Sequence, residues 1–335
     1  MMKRENNLIW LIADPDNLRL AFWKACKAKE GKMVVAQYRK SLDENLLALR
    51  NELLSGNVQV GQYHYFTIYD PKERKICAAT FRERVLHHAL MNICHANFEK
   101  YQIFDSYASR LGKGTYAALE RSKNFQRKYK WFLKLDVRKY FDSIDLCILK
   151  QQLAKRFKDV VLINVFYSII DSYETSTGKG LPIGNLTSQY FANHYLALAD
   201  HYIKEKFQAP AYVRYMDDMV IWSNDKNSLL KIGNEFQSFI ESELSLSLKP
   251  FCLNSTDKGL PFLGYILFPK TVLLNNSSRN RFKAKLKQYA YKLNNAEWNQ
   301  AEYQAHVLPL IAFAKHANTF NLRTKYNEVM KQGNS

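Results

Sequence analysis

Hydrophobic positions recur along this chain with two different periods, and each change of period marks an element. From residue 15 to 55 the apolar residues return at helical spacing. Leu18, Phe22 and Cys26, then Leu46, Leu47, Leu49 and Leu53, are the expected core faces. Residues 62–80 predict a hairpin, with a first strand near Tyr63–Tyr69 and a turn at Asp70-Pro71-Lys72-Glu73. A helix is expected from Phe81 to Glu99, with Val85, Leu86, Ala89, Leu90 and Ile93 on one face. A strand at Trp131–Asp136 sits inside a basic run that extends from Arg121 to Lys139, and a further helix begins near Asp145. The Gly-rich turn from Thr177 to Gly184 precedes a helix over Thr187–Phe207, whose stripe of Phe191, Tyr195, Leu198 and Tyr202 reads as core packing. Two short strands then flank Met216-Asp217-Asp218, followed by a helix over Ser228–Leu244 and short strands near Ser245–Leu248 and Phe262–Leu267. From Arg279 to Lys331 the chain carries ten Lys/Arg against three Glu, with Phe282, Leu286, Tyr289 and Tyr291 among them. Such a basic amphipathic helix suits a phosphate backbone, a membrane surface or a solvated face.

Composition narrows the partners. The 335 residues can bury a sizeable core in two or three subdomains, and no internal repeat or low-complexity linker divides them. A net charge of +18 suits a polyanion, and 21 Tyr with 20 Phe supply rings that can stack on unpaired bases. The five cysteines are scattered and form no Cys-x-x-Cys, which points to reduced thiols in a cytoplasmic protein rather than to a disulfide framework or a zinc site. No stretch approaches the ~20 apolar residues of a membrane span, and the N-terminus lacks the apolar region of a signal peptide.

The chemistry concentrates in acids. Tyr212-Val213-Arg214-Tyr215 and Met219-Val220-Ile221-Trp222 place Asp217 and Asp218 at the tip of a tight hairpin. Two like charges side by side are costly without a cation, and Mg²⁺ is held by one or two carboxylates together with substrate phosphates. Alone, an Asp-Asp is an ordinary surface turn. Asp136, at the end of another strand, alters that reading, since two Mg²⁺ ions about 3.5–4 Å apart could sit between the strands and serve phosphoryl transfer.

In this order the motifs resemble those of a reverse transcriptase over nearly the whole chain. The resemblance implies an α+β right-hand polymerase with fingers at 1–103 and 144–186, palm at 104–143 and 187–266, and a short helical thumb at 267–335. Asp136, Asp217 and Asp218 then correspond to the catalytic carboxylates, with Val137 adding to the set that holds two Mg²⁺. Arg74 and Lys72 match the fingers hairpin that contacts the incoming triphosphate. Phe141, beside Tyr140, matches the gate against a ribose 2′-hydroxyl. Tyr215 and Met216 belong to the catalytic box, and Phe262-Leu263-Gly264 is similar to the primer grip. Lys249 matches, with loose spacing, the Lys that protonates the leaving pyrophosphate. Arg110, Lys113, Arg281 and Lys285 are the expected nucleic-acid contacts.

Within that family, Leu181-Pro182-Ile183-Gly184 through Ser188-Gln189 resembles the enzymes of diversity-generating retroelements of bacteria and phages, as do Ser106–Arg110 and Lys113–Thr115. Many relatives carry Gln where Ile183 stands. Gln can hydrogen-bond near the nascent pair and Ile cannot, so Ile183 is expected to lower accuracy at template adenines, with Gln189 also facing the substrate. The resemblance implies deoxynucleoside triphosphates, a template RNA, an RNA/DNA hybrid and a small basic oligomeric accessory variability protein as partners. Only about 70 residues follow Tyr265, too few for a thumb plus a nuclease domain, so template removal is expected to be supplied elsewhere. A retron, group II intron or phage-defence reverse transcriptase is the alternative within the class. A non-catalytic RNA-binding scaffold is the alternative outside it.

Overall fold

Local capping and apolar spacing define the helices at the start of the chain. The computed structural model describes residues 7–69 and 73–324, beginning with α1 (Leu8–Ile12), α2 (Pro15–Cys26), α3 (Met33–Lys40) and α4 (Leu42–Ser55). Asp14 accepts hydrogen bonds from the backbone N–H groups of Asp16 and Asn17, and Pro15 supplies the helical φ of the first turn of α2. The expected helical run over 15–55 is therefore three helices. Ala28 in the left-handed region turns the chain after α2, and Ser41 interrupts it before α4. Leu47 is corrected from core to surface at 57% exposure, because the buried stripe of α4 is Leu46, Leu49 and Leu53.

β1 (Tyr63–Ile68) and β2 (Arg74–Ala79) form the expected antiparallel hairpin, Tyr63 facing Ala79. Asp70, Pro71 and Lys72 of its turn lie outside the described residues. α5 spans Phe81–Glu99 as the periodicity predicts, with Thr80 capping the Glu83 N–H. α6 (Thr115–Lys128) lies in a stretch whose charge masks its period, yet Ala118, Leu119, Ser122, Phe125 and Gln126 are buried along it. β3 (Trp131–Asp136), the single turn α7 (Tyr140–Ser143), α8 (Leu146–Arg156), α9 (Val160–Asp171) and α10 (Leu186–His201) follow, α10 running into a π-helical turn at Tyr202–Lys206. Asp145 and Asp159 cap α8 and α9.

The remaining elements are β4 (Ala211–Tyr215), β5 (Asp218–Ser223), α11 (Lys226–Leu244), β6 (Cys252–Ser255), β7 (Leu260–Phe262), β8 (Tyr265–Leu267), β9 (Val272–Leu274), α12 (Asn276–Asn294) and α13 (Gln300–Lys315). Two expectations are corrected here. Ser245–Leu248 is not a strand: Ser245 is left-handed and only Leu248 forms an isolated bridge, to Val137, while the strand beside Trp131–Lys134 is Cys252–Ser255. Phe262–Leu267 is a hairpin, because Leu263 and Gly264 both take positive φ, 49° and 91°, and reverse the chain between Phe262 and Tyr265.

The chain divides into two compact units. One gathers the chain up to Phe104 with Asp136–Gln208 and Glu235–Lys249. Its core includes Phe22, Leu49, Val85, Leu90, Phe98, Phe166 and Phe191, several of them in edge-to-face or tilted ring contacts. The other comprises Asp105–Leu135, Ala209–Asn234 and the chain from Pro250 onward. It contains a four-stranded sheet in the order β4-β5-β3-β6 and a three-stranded sheet in the order β7-β8-β9. Phe132, Val213, Val220, Trp222, Phe262, Tyr265 and Phe282 share its core. Buried Gln126 accepts from Trp222 Nε1 at 2.7 Å and donates to the carbonyls of Thr256 and Leu267, so a polar side chain in the core is matched at both ends. Among the described residues, no helix is long and apolar enough to cross a membrane.

Candidate active site

Tight pairing of β4 with β5 leaves only Met216 and Asp217 between Tyr215 and Asp218, which face each other across the ladder. Met216 takes a φ of 54°, a left-handed conformation a two-residue turn requires and an unbranched side chain tolerates at modest cost. The turn is held from beneath. Arg214 is fully buried and donates from Nη1 to the Met216 carbonyl at 3.2 Å, while its backbone N–H and carbonyl bond to Asp105 O and Tyr107 N. Asp105 in turn accepts from Tyr107 Oη and from Arg121 Nε at 3.0 and 2.9 Å. Burial and the neighbouring Asp105 carboxylate push the Tyr107 phenol upward, so it stays a neutral donor. Tyr215 Oη accepts from Thr115 Oγ1 at 3.2 Å.

Two of the acids carry lysine counter-charges. Asp218 Oδ1 is a buried oxygen that accepts no hydrogen bond, and the Lys134 ammonium faces it at 3.1 Å. Asp136 closes β3, and Lys249 Nζ lies 2.9 and 2.8 Å from its two carboxylate oxygens. The Lys249 N–H also donates to the Asp136 carbonyl at 2.9 Å, so strand end and ammonium are fixed together. Val137 is buried and bridged to Leu248, so only its backbone is available to a cation.

Mg²⁺ fits this donor set. Among the described residues, no group of three or more His, Cys, Asp or Glu gathers as a ready-made cage. Hard carboxylate oxygens in ones and twos are nevertheless what Mg²⁺ takes when substrate phosphates complete its shell, and Asp218 Oδ1, beside the Lys134 ammonium, is such an oxygen.

A second cluster belongs wholly to the unit containing Asp136. Leu181 N–H donates to the Phe141 carbonyl at 2.8 Å, Cys77 N–H to the Ile183 carbonyl at 2.8 Å, and Ala79 N–H to Asn185 Oδ1 at 3.0 Å. The segment 180–185 is thereby laced to the chain at Phe141 and to β2, the strand that opens with exposed Arg74. Gly184 is required there: at a φ of 125°, an added Cβ would lie 2.9 Å from Ile76 Cγ2 and 3.2 Å from the Cys77 carbonyl. Phe141, Ile183 and Gln189 are half-buried. Tyr140, expected to touch substrate, instead points into the core, where its hydroxyl donates to the Ala192 carbonyl. Lys72 lies outside the described residues.

The expected nucleic-acid residues fall in the other unit. Leu263 of the Leu263-Gly264 turn lines a cavity of about 420 Å³ with Lys113, Gly114, Thr115, Tyr116 and Phe313. Lys113 Nζ lies 5.0 Å over the Tyr107 ring, and Arg110 donates to the Ser106 carbonyl. Phe262 is buried core, and the Leu263-Gly264 turn is the half-buried part of that motif. Arg281 and Lys285 flank buried Phe282 and Leu286 on α12. Lys134 and Arg214 are the residues that motif reading missed. A signal existed for the first, since strand alternation puts Lys134 on the same face as Asp136. Arg214 gave none, because a cation within an apolar strand reads as solvent-facing.

An antiparallel sheet that offers carboxylates from a strand end and a two-residue turn, inside a strongly basic α+β chain, has the architecture of a right-hand nucleic-acid polymerase. The chain belongs to the reverse transcriptase (RNA-dependent DNA polymerase) family, whose family model matches residues 70–267. That family defines the enzyme class as RNA-directed DNA polymerase. The chain is 25% identical over 328 residues to the putative COX1/OXI3 intron 1 protein of Saccharomyces cerevisiae, covering 78% of this chain and 39% of that one. It is 23% identical over 272 residues to protein YkfC of Escherichia coli, covering 67% and 71%. This chain therefore spans about two-fifths of the length of the yeast intron protein. Among solved structures, apo telomerase from Candida tropicalis matches at a TM-score of 0.51 with 14% identity, over 82% of this chain and 62% of that one, a likeness of fold.

Proposed function

We propose that the chain copies a template-repeat RNA into cDNA as the polymerase of a diversity-generating retroelement, with errors concentrated at template adenines. The observation that carries this reading is Ile183. Its carbonyl is pinned to Cys77 and its segment to Phe141, so an apolar side chain is held where many relatives place a hydrogen-bonding Gln. In this reading Asp136 and Asp217 would supply the carboxylates for Mg²⁺, and Asp218 adds negative charge. Bound Mg²⁺ supplies charge neutralisation and lowers the pKa of the attacking hydroxyl. The primer 3′-hydroxyl attacks the α-phosphorus of a deoxynucleoside triphosphate, and pyrophosphate leaves. Arg74 meets the triphosphate, Phe141 excludes a ribose 2′-hydroxyl, and the Leu263-Gly264 turn steadies the primer. The ion pair of Lys249 with Asp136 supports a counter-charge role more directly than proton donation to pyrophosphate.

The same reading assigns fingers to 1–103 and 144–186, palm to 104–143 and 187–266, and thumb to 267–335. It also implies a bacterial or phage-encoded cytoplasmic enzyme with a small basic accessory protein. Sequencing cDNA made by the wild type and by Ile183→Gln is the test. Adenine-directed errors should fall several-fold in the variant, and an unchanged error spectrum would contradict the reading. An intron-type reverse transcriptase is the second reading, favoured by the likeness to the yeast intron protein. It predicts accurate cDNA from both chains.

A further inference from the structure

Lys134 has no part in the mechanism above, yet it joins two of its components. It stands on β3, two residues before Asp136 and on the same face. Its ammonium lies 3.1 Å from Asp218 Oδ1 and donates to the Pro261 carbonyl at 3.0 Å. Asp218 opens β5 directly after the Met216-Asp217 turn, and Pro261 lies on the edge strand β7, two residues before the Leu263-Gly264 turn. Lys134, the Met216-Asp217 turn, Asp218, Pro261 and the Leu263-Gly264 turn belong to one compact unit. Both side chains of the pair are mostly buried, at 22% and 29% exposure, so the contact escapes most of the screening that makes surface pairs negligible.

We propose that Lys134 is a positioning residue that competes with divalent cations for the Asp217-Asp218 turn and ties that turn to the primer-side hairpin. The proposal rests on the polymerase reading. A fixed ammonium beside Asp218 offsets the negative potential that draws Mg²⁺. Cation loading is then favoured when nucleotide phosphates bring further negative charge, so metal and substrate arrive together. The bond to Pro261 keeps the β7–β8 hairpin in register with the carboxylates during that exchange.

The test uses the full chain as wild type, Lys134→Met, Lys134→Arg, Asp218→Asn and the Lys134→Met/Asp218→Asn double variant. Two readouts are taken: the Mg²⁺ dependence of the melting temperature without substrate, and the Mg²⁺ and primer–template dependence of primer extension. Lys134→Met should reach half of its Mg²⁺-induced shift at about three- to tenfold lower Mg²⁺, since it removes one nearby positive charge. Its KM for primer–template should rise by a comparable factor, and Lys134→Arg should keep the wild-type Mg²⁺ requirement. In the Asp218→Asn background the Lys134 substitution should no longer move the Mg²⁺ midpoint. An unchanged midpoint in Lys134→Met, or the same shift with and without Asp218, would overturn the proposal. Lys134→Gln serves if the methionine variant does not fold. If no chain extends a primer, wild type included, the polymerase reading fails while the melting data still decide the role of Lys134.

Discussion

The guanidinium of Arg214 is buried beneath the Met216-Asp217 turn, where it donates to the Met216 carbonyl. A lysine there keeps the charge but loses the planar fork. Arg214→Lys should therefore lower kcat for primer extension by roughly 10- to 100-fold while the chain stays folded, because small misplacements of reacting groups are that costly. Steady-state kinetics beside circular dichroism checks this, and wild-type kcat would contradict it. Buried histidines give a second prediction. Burial lowers His87 to about 3 and His194 to about 4, so both are neutral in the folded chain near neutral pH. The unfolded chain binds those protons below about pH 6.5. Stability should therefore fall as pH drops from about 6.5 towards 4, and urea midpoints across that range measure it. Glu83, raised by burial, opposes this trend in part, since its folded carboxyl binds a proton more readily than its unfolded one. At this scale the sequence exposed the acids well, because Asp136 at a second strand end lifts the Asp217-Asp218 pair above the ordinary surface turn it would be alone. The partners of those acids were less legible. Strand alternation with Asp136 hints at Lys134, whereas Lys249 and Arg214 act through contacts that pair residues distant in sequence or depend on burial.

Elements show the same division. The hairpin over 62–80, the helix over 81–99, the strand Trp131–Asp136 and the Asp-Asp turn were readable because period and turn chemistry agree there. The hairpin at Phe262–Leu267 was not, since a left-handed Leu263 is a conformation that sequence seldom signals. Helix α6 was hidden by its charge. Segment 180–185 yields the prediction at this scale. Gly184→Ala places a Cβ against the backbone of β2 at an unfavourable φ, so it should destabilise the chain by about 1–3 kcal/mol. It should also raise the KM for deoxynucleotides, because the same segment is fastened to the Phe141 carbonyl. Denaturant titration and nucleotide kinetics check both effects, and a neutral variant would show that the segment yields freely.

For the whole molecule, a net charge of +18 makes affinity for nucleic acid mainly a matter of released counter-ions. Binding of a primer–template should weaken steeply from 50 to 200 mM salt, on the order of a thousandfold if about six phosphates are engaged. Family and fold were legible from the order of the motifs, whereas the division into two compact units depends on long-range packing that no motif records. The central claim is RNA-directed DNA synthesis by the carboxylates of the β4–β5 turn and the end of β3. Primer extension on an RNA template with Mg²⁺ and all four deoxynucleotides, wild type beside Asp217→Ala, tests it most directly. The wild type should make cDNA and Asp217→Ala should lose nearly all synthesis, as expected when a metal-holding carboxylate is removed from phosphoryl transfer. Equal synthesis by both chains, or tight RNA binding with no synthesis by either, would contradict it.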